Sequence, residues 1–277
     1  KNNCPNRGGI PGRKIGVTRL LVTGASGLLG LNLALEALQA GDDVIGLVHR
    51  QPLEGAPFPV LSAGLSSGGQ IASLLDQIRP EVIVHCAAMA NVDDCEAVPD
   101  QARWINAVVP GLLAKETYQR GIRLVHLSTD AVFDGVRGDY TETDTPNPLS
   151  VYARTKLDGE EQVTAEDPTA IIARVNFYGW SLKGKRSLAE FFYNNLSAGQ
   201  RVNGFTDVYF CPLLANTLAK ILLEMARKGL AGLYHVVSKE CLSKYDFGLL
   251  IARQFGLDAS LIQPVSVLEG GLVARRS

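Results

Sequence analysis

The chain has 277 residues, with 27 Lys plus Arg set against 28 Asp plus Glu for a formal charge of −1. That balance supplies no general field for nucleic acid or an anionic membrane, so any anion site has to be local. Hydrophobic residues at 46% and charged ones at 20% exclude a disordered chain, and the length suits one large domain or two coupled ones that need neither disulfide nor metal to bury a core.

Residues 1–16 (KNNCPNRGGIPGRKIG) carry basic residues but no apolar run, which predicts a mobile tail rather than a secretory signal. Residues 17–23 (VTRLLVT) form a β-rich run that ends in a glycine turn, and 28–40 repeat apolar residues at helical spacing until Gly41 stops them. A second strand is predicted at 44–48. The Pro, Gly and Ser of 51–69 predict loop around a short third strand at Val60 and Leu61. An amphipathic stretch at 71–78 ends at Pro80, and 81–88 (EVIVHCAA) reads as a buried strand. A long helix is predicted over 101–120 despite Pro110, then a strand at 124–128, a helix at 151–165 and a strand at 170–175. Strands apolar on both faces, alternating with helices, call for a parallel sheet covered on each side. After Gly179 the rhythm breaks: helices are predicted at 187–198, 214–228 and 245–255, a strand at 232–237, and a more irregular stretch at 202–210. The expected architecture is α/β, a Rossmann-type doubly wound parallel sheet over 17–180 with part of 211–237 returning to it. Residues 181–277 are expected to form mainly a smaller, discontinuous substrate-binding domain.

Thr23-Gly24-Ala25-Ser26-Gly27-Leu28-Leu29-Gly30 places three glycines where the first strand turns into the first helix. Gly24 permits the tight turn, Gly27 lets the backbone approach a pyrophosphate, and Gly30 lets helix and strand pack closely, while the helix N-terminus offers N–H groups to an anion. The second strand ends Leu47-Val48-His49-Arg50 without the acidic residue that would bind a ribose 2′-hydroxyl. Arg50, with His49 alongside, suits a 2′-phosphate, so NADP(H) is expected in preference to NAD(H).

Ser150-Val151-Tyr152-Ala153-Arg154-Thr155-Lys156 sets Tyr152 and Lys156 four apart on one helix face. A phenol titrates near pH 10 and needs a cation to act at neutral pH, which Lys156 and an oxidised nicotinamide would supply. Upstream, Ser128-Thr129-Asp130 ends a strand at the edge where open α/β sheets bind ligands, and a hydroxyl there can hold a substrate carbonyl. The cysteines (Cys4, Cys86, Cys95, Cys211, Cys241) are odd in number and lack CxxC or zinc spacing, so they are expected as buried or half-buried thiols in a reducing compartment. Three of the four histidines (His49, His85, His126, His235) sit in apolar strand-like runs, which argues for core or strand-end roles over metal ligation. No apolar run approaches the length of a membrane span, and a cytoplasmic protein with no metal, membrane or nucleic-acid partner is expected.

TGASGLLG, HCAAMANVDDCE at 85–96, Asn106, STDAVFDG at 128–135 and YARTK at 152–156 together resemble the extended short-chain dehydrogenases/reductases. More narrowly they resemble the dTDP-4-dehydrorhamnose reductase group and its sugar-nucleotide-binding relatives, over most of residues 17–240. The resemblance implies an NADP(H)-binding Rossmann domain, a sugar-nucleotide substrate, and a homodimer as a further expectation. By the same likeness Thr129 binds the substrate carbonyl, Tyr152 acts as general acid, and Lys156 binds nicotinamide ribose while lowering the tyrosine pKa. The implied cofactor-facing residues are Gly24, Ser26, Gly27, Leu28, Leu29, Gly30, His49, Arg50, Ala87, Ala88, Asn106 and Ser128. Ala131 and Phe177 depart from the tyrosine and tryptophan usual in the rhamnose reductases. The motif set also resembles the regulatory subunit of methionine adenosyltransferase, a non-catalytic alternative. A sugar-nucleotide epimerase or dehydratase ranks lower, because Ala131 follows Asp130 where dehydratases carry a second carboxylate.

Overall fold

A computed structural model describes residues 17–49 and 51–268 of the chain. The tail expected at 1–16 lies outside the described residues, as do Arg50 and the last nine positions. The first half runs β1 (Arg19–Thr23), α1 (Leu28–Gln39), β2 (Asp43–Val48), β3 (Val60–Ser62), α2 (Gly68–Ile78), β4 (Val82–His85), α3 (Val92–Ala97), α4 (Pro99–Arg103) and α5 (Val109–Gln119). β5 (Arg123–Thr129), α6 (Val151–Glu166) and β6 (Ile171–Val175) follow, then β7 (Phe177–Tyr178), α7 (Leu188–Ser197), β8 (Val202–Phe205), β9 (Tyr209–Phe210) and β10 (Leu213–Leu214). The chain then forms α8 (Ala215–Arg227), β11 (Gly232–Val236), β12 (Leu242–Ser243), α9 (Lys244–Phe255) and β13 (Ile262–Val265).

Seven strands form one parallel sheet in the order β11-β6-β5-β4-β1-β2-β3. The chain winds outward from β1 through β2 and β3, returns to β4, and proceeds the other way. A crevice therefore opens at the carboxyl ends of β1 and β4, the switch point where such sheets take ligands. Alternate residues feed two separate cores. Leu20, Val22, Val84, Val125 and Ala173 pack toward α1 and α8 with Leu33, Leu218 and Leu222. Leu21, Ile83, Leu124 and Ile172 pack on the opposite face with Ile71, Leu75, Leu113 and Val163. Each fully buried leucine contributes about 1.5–3 kcal/mol over an exposed one, so this two-sided burial explains why the strands carry apolar residues on both faces. A third core, Phe192, Leu196, Val202, Phe210, Phe247 and Ile262, belongs to the late elements. There β8 pairs with β13 in parallel and β9 with β12 antiparallel.

The helix expected over 101–120 is interrupted. Val109 N–H reaches back five residues to Trp104 O, a π-helical turn at Trp104–Val108 between α4 and α5. Pro110 has no N–H to return to Asn106 O. That carbonyl abuts Gly159 of α6, where a Cβ would collide with it. The wide turn thus lets Pro110 sit inside the helix and lets α5 and α6 approach closely. The irregular stretch expected at 202–210 contains β8 and β9, whose pairing partners lie far along the chain. The cysteine expectation also needs correction: Cys86 and Cys95 are free, but Cys211 and Cys241 form a disulfide. Their separation of 30 residues hid the pairing, which the β9–β12 ladder creates.

Candidate active site at the carboxyl edge of the sheet

Gly24 follows β1 at φ +67°, a conformation side chains disfavour, and a Cβ there would sit 2.8 Å from Ala87 N. A Cβ on Gly30 would collide with Gly24 O, so helix and turn can touch only with glycine at that position. α1 starts with no side-chain cap and no acidic residue in its first turn, and its first return bond is Leu31 N–H to Gly27 O at 3.1 Å. The N–H groups of Leu28, Leu29 and Gly30 precede that bond and face the crevice end of the helix, with half-buried Ser26 beside them. Thr23 Oγ1 accepts from Ala87 N–H at 3.3 Å and shares a 2.8 Å hydrogen bond with His85 Nδ1, which fastens the segment after β4 against this turn. Ala87 is half-buried there, Ala88 exposed, and His49 exposed at the end of β2.

Thr129 at the end of β5 and Tyr152 in the first turn of α6 open into one pocket of about 440 Å³. Ser150 caps that helix through Ala153 N–H at 3.2 Å, and Glu96 Oε1 accepts from Val151 N–H at 2.8 Å, so the start of α6 is held from two sides. Asp130, Ala131, Asn176 and Phe177 line the pocket, with Arg186, Tyr209 and Lys244. Lys183 and Lys185 are exposed and do not line it. A larger, shallower depression of about 610 Å³ along α2 has no titratable side chain in its lining and stands apart from Thr129 and Tyr152.

Burial pushes the Tyr152 phenol up to about 12, against a lowering by Thr129 and with Asp130 adding to the rise. Burial also raises the Asp130 carboxyl, offset by hydrogen bonds from Asn176 Nδ2 (2.7 Å) and Thr129. Lys156 is not among the groups that shift the phenol in the protein alone. Its Nζ is buried, donates to Leu127 O at 2.6 Å and lies 3.5 Å from His126 Nε2. Burial brings Lys156 itself down to about 8, with Glu160 acting in the opposite direction.

Two further expected residues make their side-chain bonds within the protein. Asn106 is fully buried and clamps Met89, accepting from its N–H at 2.9 Å and donating to its carbonyl at 3.0 Å. It holds the segment after β4 in place and also donates to Thr155 Oγ1 at 3.1 Å. Ser128 turns inward and donates to Glu160 Oε1, because strand alternation puts its neighbour Thr129 at the pocket.

Behind the pocket, Thr23, His85 and His126 stand in register on β1, β4 and β5, and Ser128, Arg174 and His235 on β5, β6 and β11. Spacing along one strand could not reveal this row. Burial, then Lys156, lowers His85 to about 3 and holds His126 well below its usual value. The unfolded chain therefore binds protons on both histidines below about pH 6.5, while the folded chain keeps His85 neutral down to about 3 and His126 neutral well below its usual range. Stability should fall on acidification across that window, by about 1.4 kcal/mol per pH unit for each histidine once the unfolded form is protonated. Urea midpoints at pH 7 and pH 5 check this, and unchanged midpoints would contradict it.

The RmlD substrate binding domain model matches residues 18–277. The chain belongs to this family, within the extended short-chain dehydrogenases/reductases. Among its relatives is the "Probable low-salt glycan biosynthesis reductase Agl14" of Haloferax volcanii, 35% identical over 247 residues, which span 87% of this chain and 82% of that protein. "Methionine adenosyltransferase 2 subunit beta" of Rattus norvegicus is 31% identical over 255 residues, 90% of this chain and 75% of that one. The dTDP-4-dehydrorhamnose reductase of Bacillus anthracis, solved in complex with NADP, superposes with a TM-score of 0.79 at 26% identity, covering 93% of this chain and 87% of that one. Among the described residues no helix is long and apolar enough to cross a membrane.

Proposed function

We propose that the chain is an NADPH-dependent reductase of a 4-keto sugar nucleotide. The observation that carries this reading is the opening of Thr129 and Tyr152 into one pocket at the carboxyl edge of the sheet, the edge at which the glycine turn leaves β1. The turn fits a dinucleotide: a Cβ added at Gly27 would meet only Gly24 O, at 3.0 Å, so the glycine keeps the backbone open to a pyrophosphate. Leu28, Leu29 and Gly30 N–H groups would hold that pyrophosphate, and exposed His49, with no acid at the end of β2, suits a 2′-phosphate. When bound, the nicotinamide supplies hydride.

Thr129 Oγ1 donates to the ketone oxygen and orients it. Tyr152, protonated throughout the neutral range, delivers its proton to that oxygen as negative charge develops there. Buried Lys156 places a cation one helical turn behind the phenol, within reach of a nicotinamide ribose once released from Leu127 O. Arg186 and Lys244 bring positive charge to the pocket wall for a diphosphate, and Ala131 and Phe177 set the room available to the sugar. The late elements around Phe192 and Phe247 form the substrate-binding part in this proposal.

The test is NADPH oxidation with a panel of dTDP- and UDP-linked 4-keto sugars, beside thermal shifts with NADP and NAD. Failure to bind any nicotinamide nucleotide would end the proposal. At Gly27 (φ −79°, ψ 168°) alanine fits the backbone, so Gly27→Ala should keep the far-UV spectrum while weakening NADP binding about tenfold in a fluorescence titration. The 31% identity to methionine adenosyltransferase 2 subunit beta supports a second reading, a dinucleotide-binding regulatory subunit. Binding of NADP without turnover of any keto sugar, together with co-purification of a partner enzyme, would favour it.

A further inference from the structure

Part of the pocket wall is supplied by Tyr209 and Phe210 of β9 and by Lys244 at the start of α9. These residues hang on a very short ladder: β9 pairs with β12 only through Phe210 with Leu242 and Tyr209 with Ser243. Lys244 N–H extends it to Val208 O at 3.0 Å. Two strands of that length have little stability of their own. One step further along the same register, Cys211 faces Cys241, and the two are joined by the disulfide. Ser238 N–H closes onto Cys211 O at 2.9 Å, so the segment between β11 and β12 is gathered at the same end. Cys241 is exposed and Cys211 half-buried, which leaves the bond open to reagents in solvent.

We infer that Cys211–Cys241 is a thiol–disulfide exchange site that sets how firmly the pocket holds its ligand. The co-reactant is a dithiol. One of its thiolates attacks exposed Cys241 Sγ, the bond between the two cysteines breaks, and Cys211 leaves with the electron pair and takes up a proton. The second thiol then displaces Cys241 from the mixed disulfide. The dithiol ends as its own disulfide, oxidised by two electrons, and Cys211 and Cys241 end as two thiols carrying two protons. With the cross-link gone, β9 and β12 keep the short ladder and the packing of Phe210 and Leu242 in the late core, while Tyr209 and Lys244 at the pocket wall lose their fixed spacing. The turn at Gly24–Gly30 is built on β1 and α1 of the seven-stranded sheet, separate from this ladder, and keeps its geometry.

That the ligand is a nucleotide sugar rests on the function proposed above; the opening of the strand pair does not. The full chain is compared before and after dithiothreitol by peptide mapping, amide hydrogen exchange, and titration with dTDP, UDP and NADP. A peptide linking Cys211 to Cys241 should vanish on reduction, and exchange should quicken at 208–212 and 238–244 while β1, β4 and β5 keep their protection. Affinity for the nucleoside diphosphate should drop about tenfold with NADP affinity unchanged. Cys211→Ser should behave as reduced protein with or without dithiothreitol. Absence of the linked peptide in air-oxidised protein, equal exchange in both forms, or equal diphosphate affinity despite faster exchange would each overturn the inference. If neither form binds a nucleoside diphosphate, the reductase proposal fails, and the exchange measurement still decides whether the disulfide holds the strand pair.

Discussion

Tyr152→Phe should lower turnover of a 4-keto sugar nucleotide by about a hundredfold to ten-thousandfold, the range for loss of a positioned general acid. The phenol opens into the pocket with Thr129 beside it, and phenylalanine keeps the ring and its packing while removing only the proton to be given. The affinity for NADP should stay within a factor of about two, because no residue of the glycine turn is touched. The measurement is NADPH oxidation in single turnover beside a binding titration. A variant that turned over at the parent rate would remove Tyr152 from the chemistry. Burial of the phenol raises its pKa to about 12, so the acid stays protonated through the neutral range, and loss of turnover below pH 10 has to come from another group. Lys156, brought to about 8 by burial, is the nearest candidate. Its charge, and with it any hold on a ribose, is lost as pH rises through 8.

Glu160→Ala should cost about 3–5 kcal/mol of stability, the expected penalty for leaving one partner of a buried ion pair unpaired. Glu160 and Arg174 expose only 6% and 4% of their side chains. They meet through two arms of the guanidinium, Nε to Oε1 at 3.0 Å and Nη2 to Oε2 at 2.7 Å. Alanine would leave Arg174 charged beneath α6, with the Phe133 ring 5.0 Å away and His235 Nε2 at 3.4 Å as poor replacements. Urea unfolding measures the loss. Replacing both partners, Glu160→Leu with Arg174→Met, should recover most of it, because the desolvation of two charges disappears with them. If the single variant were as stable as the parent, the pair would be solvated in solution. Glu160 also lies one turn beyond Lys156 and raises its pKa, so a folded Glu160→Gln variant should show the alkaline fall of activity at lower pH.

Both expectations draw on features of different legibility. The glycine turn and the Tyr152–Lys156 pair are local: a strand-turn-helix junction and a four-residue helical spacing put their atoms together whatever the rest of the chain does. The sheet was legible because strands apolar on both faces can satisfy their burial only between two helical layers. The resemblance sets Ser128 and Asn106 along the cofactor, and it cannot show which groups of the protein their side chains bond. Strand alternation sends Ser128 to Glu160, and the π-helical turn carries Asn106 to Met89. Asp130 and Asn176, which meet at the pocket, directly follow β5 and β6, and nothing in either segment announces the other.

By itself the sequence determined the alternating α/β order, the glycine turn between β1 and α1, and the placing of Tyr152 and Lys156 on one helix face. Local spacing and side-chain chemistry are sufficient for these. Only the tertiary structure decided where Lys156 directs its ammonium, which polar groups form the row from Thr23 to His235, and that Cys211 lies against Cys241. Those outcomes depend on contacts between segments 29 to 62 residues apart, and these follow from how whole faces pack, which no single stretch of chain encodes.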